Sequence, residues 1–404
     1  MIYNTDVVVV GGGAAGLAAA LGAADENAEV ILVEREDDVG GVLNQCIHNG
    51  FGLQYLKEDL TGPEFKEIMQ EKIFNPKIRI LPKSYILGVN KDKSVFLVNK
   101  YGVHTINTKT MVIATGARER PFSSIGIAGK RPSGVFSAGL AQRYMNLMNL
   151  KPGNSALIVG SGDIGLIMAR RLTLEGVDVK AVIEIMSYPG GLERNIQQCL
   201  KDFNIPLYLS RSVKEISGEE RVEKILTTKV DERFNYVDGE DMIFEVDTLI
   251  SSVGLIPNIK PFDFLNHDNG FITSNTNQTS ADWIFAAGNC TVVFDLVDYV
   301  AAQGEKAGRF AAKKALKNYE DDKIIKLQKS KNIGIMYPTY INTDFKGELF
   351  LRVKKPFNKI CIEIPEYGIK KVINEAIPSE MIKIQLRDIK NFNEIIEVKA
   401  YEIV

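Results

Sequence analysis

Val7-Val8-Val9-Val10-Gly11-Gly12-Gly13-Ala14-Ala15-Gly16 is the stretch that decides the fold. Four consecutive β-branched residues form a strand buried on both faces, and the glycines end it. Their spacing is GxGxxG. Gly11 makes the tight turn, Gly13 lets the backbone approach a pyrophosphate, and Gly16 lets the next helix pack close to the strand. The amino terminus of that helix, opened by Ala14 and Ala15, faces the phosphate charge. Such a turn is expected to have an acid about 20 residues on, at the end of the next strand, to bind a ribose diol. Glu34 closes Ala28-Glu29-Val30-Ile31-Leu32-Val33, and Arg35 follows it.

The same arrangement recurs downstream. Ala156-Leu157-Ile158-Val159 runs into Gly160-Ser161-Gly162-Asp163-Ile164-Gly165, and Glu184 closes Val179-Lys180-Ala181-Val182-Ile183. Two complete dinucleotide sites in one chain imply two dinucleotides, one for each end of an electron transfer. Val7 to Ala24 carries no polar side chain and is long enough to span a membrane. Its five glycines, and the lack of Lys or Arg in the six residues before it, favour a buried strand-turn-helix instead. The expectation is a cytoplasmic protein with no membrane insertion.

The 404 residues give room for two or three domains. A net charge of -2 with both signs well mixed gives no argument for a nucleic-acid partner, and none is expected. Cys46, Cys199, Cys290 and Cys361 form no CxxC, and His48, His104 and His267 show no ligand spacing, so no metal is expected. Between the two glycine motifs lie short strand-like runs, Lys77–Leu81 and Ser94–Val98. Thr110-Met111-Val112-Ile113 then stops on Ala114-Thr115-Gly116, and a helix is expected over Ala138–Met148. The second unit ends near Gly254. After residue 320 or so, Ile, Lys and Asn rise, Gly falls, and alternating runs such as Glu348–Val353 and Lys359–Ile364 point to a β-rich tail.

At this point the chain resembles the two-dinucleotide flavoprotein family of glutathione reductase, NADH oxidases and ferredoxin reductases. Four motifs between residue 5 and about 312 carry the resemblance. They are the first glycine motif with Glu34, Ala114-Thr115-Gly116-Ala117, the second glycine motif with Glu184, and Thr279 followed by Trp283-Ile284-Phe285-Ala286-Ala287-Gly288-Asn289. The resemblance implies an α/β fold with two Rossmann-like FAD/NAD(P)-binding domains of the three-layer ββα type, plus the small β-rich C-terminal domain. Its domains are 1–119 and 255–320 for FAD, 120–254 for NAD(P), and 321–404 for the tail. It further implies FAD at the first motif and a nicotinamide dinucleotide at the second. Gly41, Val42, Asn44, Gly254, Gly288 and Asn289 complete the cofactor-binding set. In the family the position of Asn289 is usually Asp. Glu184 repels a 2′-phosphate and no Arg lies between Ile185 and Glu193, so NAD(H) is favoured over NADP(H). The helix after Asn289 points its amino end at the flavin, with Asp298 or Tyr299 placed to touch the ring. Asp295 and Asp298 serve equally well as plain N-caps.

Disulfide reductases of this family carry a Cys pair just after the Gly-Gly that is here Gly40-Gly41. In this chain Leu43 and His48 stand there, which excludes dithiol relay chemistry of that style. Cys46 is left alone nearby. It is either a redox thiol of the single-cysteine kind or a packed thiol without redox role, and His48 is either a proton donor or structural. A narrower resemblance rests on Gly40–Gly52, Arg131–Gly139 and Asp295–Val300. It is to the FAD-dependent oxidoreductases found beside glycerol-3-phosphate dehydrogenase, and to the FAD/NAD-domain subunits of sarcosine oxidase, octopine oxidase and hydrogen cyanide synthase. That resemblance implies electron flow between NAD(P)H and an acceptor, a small redox protein or a partner dehydrogenase subunit. A homodimer is the family's habit. An enzyme in its own right, a subunit active only in complex, and a flavin-bound protein with a lapsed nucleotide site remain as readings. Intact Gly160, Gly162, Gly165 and Glu184 speak against the last.

Overall fold

Val7–Val10 is the inner end of a longer strand, Ile2–Val10. The strand reaches past the apolar run because polar Asn4 and Thr5 still pair in the ladder, opposite Asn107 and Thr108. The computed structural model describes residues 1–319, 324–387 and 394–403. They fall into two units, 1–117 with 257–404, and 118–256. The expected boundary between residues 320 and 321 lies outside the described residues.

In the first unit, Ile78–Leu81, Val30–Val33, Ile2–Val10 and Gly102–Ile113 lie side by side and parallel. The last of these continues into an antiparallel meander with Ser94–Asn99 and Tyr85–Val89. Its far end also pairs with Ile284–Ala286. Alternation sorts the valines: Val7 and Val9 face the helices, while Val8 and Val10 pack with Val95, Leu97 and Trp283 on the other side. The run that resembled a membrane span is this strand, its turn, and the helix Ala14–Asp25. Among the described residues no helix is long and apolar enough to cross a membrane.

That helix is apolar all round because another helix, Val297–Ala315, covers it. The two backbones nearly touch. A Cβ on Gly304 would lie 2.1 Å from the Ala15 carbonyl oxygen, one on Gly308 1.9 Å from that of Ala19, and one on Gly22 2.4 Å from that of Glu305. The small residues are therefore required by contact distance.

The second unit repeats the plan. Parallel strands run in the order Val135–Ser137, Thr248–Ser251, Ser155–Val159, Asp178–Ile183 and Leu207–Tyr208. Helices Ala138–Met148 and Asp163–Leu174 cover one face and a four-stranded sheet around Arg211–Ser217 covers the other. Alternation again decides the faces: Leu157 and Val159 meet Val213 and Ile225, whereas Ala156 and Ile158 meet Leu166 and Ala169.

The tail belongs to the first unit but has its own core. Ile324–Lys329, Ile395–Glu402, Phe357–Ile364 and Ile369–Ala376 are strands of one sheet, and Ile333–Tyr337, Gly347–Val353 and Ile382–Leu386 of another. Leu349, Leu351 and Val353, at alternate positions, are buried between them with Ile360, Ile362 and Ile364. Its seat on the rest of the unit is specific. Arg352 pairs with Asp295, the Met381 N–H donates to Asp295 Oδ2 at 2.6 Å, and Phe350 packs on Phe294 and Tyr299.

Candidate functional site

Each glycine turn is built the same way. Gly11 takes φ +100° and Gly160 φ +98°, the left-handed region that favours glycine. A Cβ on Gly16 would strike the Gly11 carbonyl oxygen at 1.7 Å, and one on Gly165 that of Gly160 at 2.3 Å. Gly13 and Gly162 are the N-caps of their helices, carry no capping side chain, and have nothing within 4 Å of where a Cβ would stand. No side chain therefore crowds either N-cap glycine, which leaves room for a phosphate beside each helix start. Ala14 and Ala15 are buried against the neighbouring helix, and Ile164 is partly exposed.

The acids also correspond. Glu34 is buried; its Oε2 accepts from the Gly12 N–H at 2.6 Å and its Oε1 from the Glu36 N–H at 2.8 Å. Glu184 is buried likewise; its Oε2 accepts from Ser161 N–H at 2.9 Å and its Oε1 from Met186 N–H at 3.0 Å. Each carboxylate is tied to the middle of its glycine loop and keeps lone pairs to spare. Arg35 points outward to Glu36 at 3.6 Å. Burial, reinforced by the Glu184 charge, raises the Tyr188 hydroxyl above its ordinary value, which places Tyr188 in the field of that acid.

Around the first turn the chain folds in from three directions. The Gly40 N–H donates to the Gly12 carbonyl at 2.7 Å, and Gly41 stands beside Gly13. The short 3-10 helix Gly41–Gln45 follows, with Val42 exposed and Asn44 Nδ2 donating to the Val39 carbonyl at 3.0 Å. Ala114 donates to the Val10 carbonyl, and Thr115 Oγ1 to the Asn258 carbonyl at 2.6 Å, so Ala114-Thr115-Gly116 is held against the returning chain. Gly288 lies on Ala15, and its N–H donates to Gln303 Oε1 at 2.6 Å. Asn289 Oδ1 accepts from Phe294 N–H at 3.2 Å. In the second unit Gly254 accepts from the Arg120 N–H at 2.9 Å.

The helix after Asn289 is Val297–Ala315; its N-cap is Leu296 and no side chain caps it. The reading of Asp295 and Asp298 as plain N-caps is therefore corrected. Asp295 serves the tail, and Asp298 Oδ1 accepts from the N–H groups of Gln54 and Tyr55 at 2.8 and 2.7 Å. The other oxygen, Asp298 Oδ2, is buried with no hydrogen-bond partner among the described residues. Tyr299 accepts from Gln54 Nε2 at 3.3 Å and lies under Lys383, whose Nζ is 4.2 Å from its ring centre.

The two candidate catalytic residues are engaged locally. Burial pushes the Cys46 thiol up to about 12, so it is neutral at physiological pH and a poor nucleophile. His48 Nδ1 contacts the Asn49 carbonyl at 2.9 Å, and its ring lies 5.2 Å from that of Phe51. All four cysteines are free. Among the described residues no group of three or more His, Cys, Asp or Glu could hold a metal ion.

The glycine motifs alone do not mark the second Gly-Gly. Gly190-Gly191 follows Glu184 at the same interval as Gly40-Gly41 follows Glu34, and laying one unit on the other would have exposed it. Gln54, Gln303 and Ser161 carry no local signal, because their partners are distant in sequence. The frame fits a dinucleotide. Two uncapped helix ends, two acids with lone pairs free and the orphaned Asp298 Oδ2 all ask for groups that none of the described residues supplies.

Residues 5–304 match the family described as pyridine nucleotide-disulphide oxidoreductase. The chain is 26% identical to a thioredoxin reductase of Ureaplasma parvum over 290 residues, covering 70% of this chain and 88% of that one. It is 26% identical to sarcosine oxidase subunit alpha of a Corynebacterium species over 272 residues, 63% of this chain but only 26% of that subunit. The crystal structure of T. acidophilum thioredoxin reductase superposes with a TM-score of 0.65 at 22% identity, covering 78% of this chain and 99% of that one. The tail lies beyond the family match.

Proposed function

This chain belongs to the pyridine nucleotide-disulphide oxidoreductase family, whose members bind FAD and NAD(P)H, and we propose that it moves electrons between NAD(H) and an acceptor without a redox disulfide. The observation that carries this reading is the paired construction of the two units. Glu34 on Gly12 and Glu184 on Ser161 are the same carboxylate-to-loop contact made twice. One holds FAD and the other admits the nicotinamide dinucleotide.

The flavin, when bound, supplies hydride and electron transfer. The protein's own part is placement. The uncapped amino ends at Gly13 and Gly162 bind the pyrophosphates, and Glu34 and Glu184 orient the riboses. The uncapped start of Val297–Ala315 is a positive helix end suited to stabilising negative charge on a bound flavin. Leu43 and His48 stand at the positions of a dithiol, and burial raises the Cys46 thiol, which supports a cycle without disulfide relay or thiolate chemistry. The loop Ile185–Pro189 carries no cation to reward a 2′-phosphate, which favours NAD(H) over NADP(H).

The likeness to sarcosine oxidase subunit alpha supports a role as one subunit of a cytoplasmic heteromeric dehydrogenase of the amine or glycerol-3-phosphate kind. The tail, absent from the family match, is then the natural docking surface. Anaerobic titration of the FAD-loaded protein tests the proposal. Stoichiometric bleaching by NADH, with NADPH at least about tenfold less effective, is the expected result. A flavin that neither nucleotide reduces would sink the NADH reading and leave electron supply to a partner subunit.

A further inference from the structure

The two units carry one signature, an acid followed six residues later by Gly-Gly, but close it differently. In the first, the Gly40 N–H donates to the backbone carbonyl of Gly12, and Gly40 and Gly41 turn through φ +110° and +53°. In the second, the position of Gly12 is Ser161 and that of Ala14 is Asp163. Ser161 is fully buried. Its hydroxyl donates to Glu184 Oε2 at 2.6 Å and accepts from the Gly190 N–H at 2.8 Å. Asp163 Oδ1 accepts from the Leu192 N–H at 2.9 Å and from Asn195 Nδ2 at 2.6 Å. The loop Ile185–Leu192 is therefore stapled to the glycine turn by two side chains that the first unit lacks.

A carboxylate has about four lone-pair positions. Glu34 uses two, for the N–H groups of Gly12 and Glu36, and retains two for a ribose diol. Glu184 uses three, for Ser161 N–H, Ser161 O–H and Met186 N–H, and retains one. The Ser161 hydroxyl thus occupies a position that a ribose hydroxyl would take.

We infer that Ser161 is a positioning residue that latches the loop Ile185–Leu192 over the second nucleotide site and competes with the ribose for Glu184. The latch weakens binding there, so the second nucleotide exchanges while the one held by Glu34 stays. This rests on the reading of the second unit as a nucleotide site.

The test uses the full-length, FAD-loaded protein and ADP-ribose, a probe with the ribose and pyrophosphate but no nicotinamide. Calorimetry measures its affinity, and amide hydrogen exchange follows residues 185–192 without nucleotide. Ser161→Ala is expected to bind ADP-ribose about three- to tenfold tighter, from one charged hydrogen-bond position regained. Its loop amides should exchange at least about tenfold faster, having lost the staple. Ser161→Gly, which restores the Gly-Gly-Gly of the first unit, should behave alike. Unchanged or weaker affinity in both variants overturns the latch while leaving the site standing. Failure of the wild type and both variants to bind ADP-ribose overturns the nucleotide reading itself, and the latch with it.

Discussion

Gly12 and Ser161 hold the same place in two copies of one supersecondary unit, and the copies diverge from there. Around Gly12 the closure is backbone to backbone, and the carboxylate of Glu34 is left half free. Around Ser161 the closure runs through side chains, and Glu184 is three-quarters committed. The helices differ in the same sense. Ala14–Asp25 is locked backbone to backbone against Val297–Ala315, whereas Asp163–Leu174 packs through ordinary side chains such as Leu166 and Met168. On the proposed latch, one unit keeps its ligand and the other exchanges it, although the motif alone is identical in kind.

The largest expected effect breaks the first unit only. Gly308→Leu drives a side chain into the Ala19 carbonyl oxygen, 1.9 Å from its Cβ. It should cost about 3 kcal/mol, near the upper end for overpacking. Differential scanning calorimetry should show an early transition for the first unit, with the second unit's melting unchanged. The third glycines separate the two ligands. Gly16→Ala, with its Cβ 1.7 Å from the Gly11 carbonyl oxygen, should purify colourless. Gly165→Ala should stay yellow yet resist bleaching by NADH, its nucleotide affinity lowered at least about tenfold. A colourless Gly165→Ala protein would reverse the assignment of the two sites.

The acids give a smaller and graded contrast. Glu34→Gln surrenders a carboxylate with two positions free for a diol, and FAD affinity should fall about 30-fold. Glu184→Gln has only one free position to lose, and NADH affinity should fall about fivefold by the same measure. Equal losses, read by equilibrium dialysis and by flavin bleaching, would erase the difference drawn between the units. The smallest effect belongs to Cys46. With the thiol pushed up to about 12, protonation persists through pH 7–9, and alkylation by iodoacetamide should rise only as pH climbs well above that window. Cys46→Ser should leave NADH-driven flavin reduction within about twofold of wild type. A large loss would return Cys46 to the reaction.

The sequence by itself determined both nucleotide units. Their cues are local: a glycine turn forces a backbone shape, and an acid at the next strand's end lies at a set interval. It also determined that no neighbouring dithiol exists, and alternation in Leu349–Val353 and Ile360–Ile364 marked the tail as β. Tertiary structure decided what depends on residues distant along the chain. Asp298 does not cap its helix because Oδ1 accepts from the N–H groups of Gln54 and Tyr55, which are distant along the chain. Gly304 and Gly308 are required because Ala15 and Ala19 come within contact distance, and Asp295 anchors the tail through Arg352 and Met381. Ser161 was merely the variable letter of its motif until Gly190 and Glu184 met at its hydroxyl. Local backbone geometry is written in spacing, but hydrogen-bond partners across a fold are fixed only when packing brings them within about 3 Å.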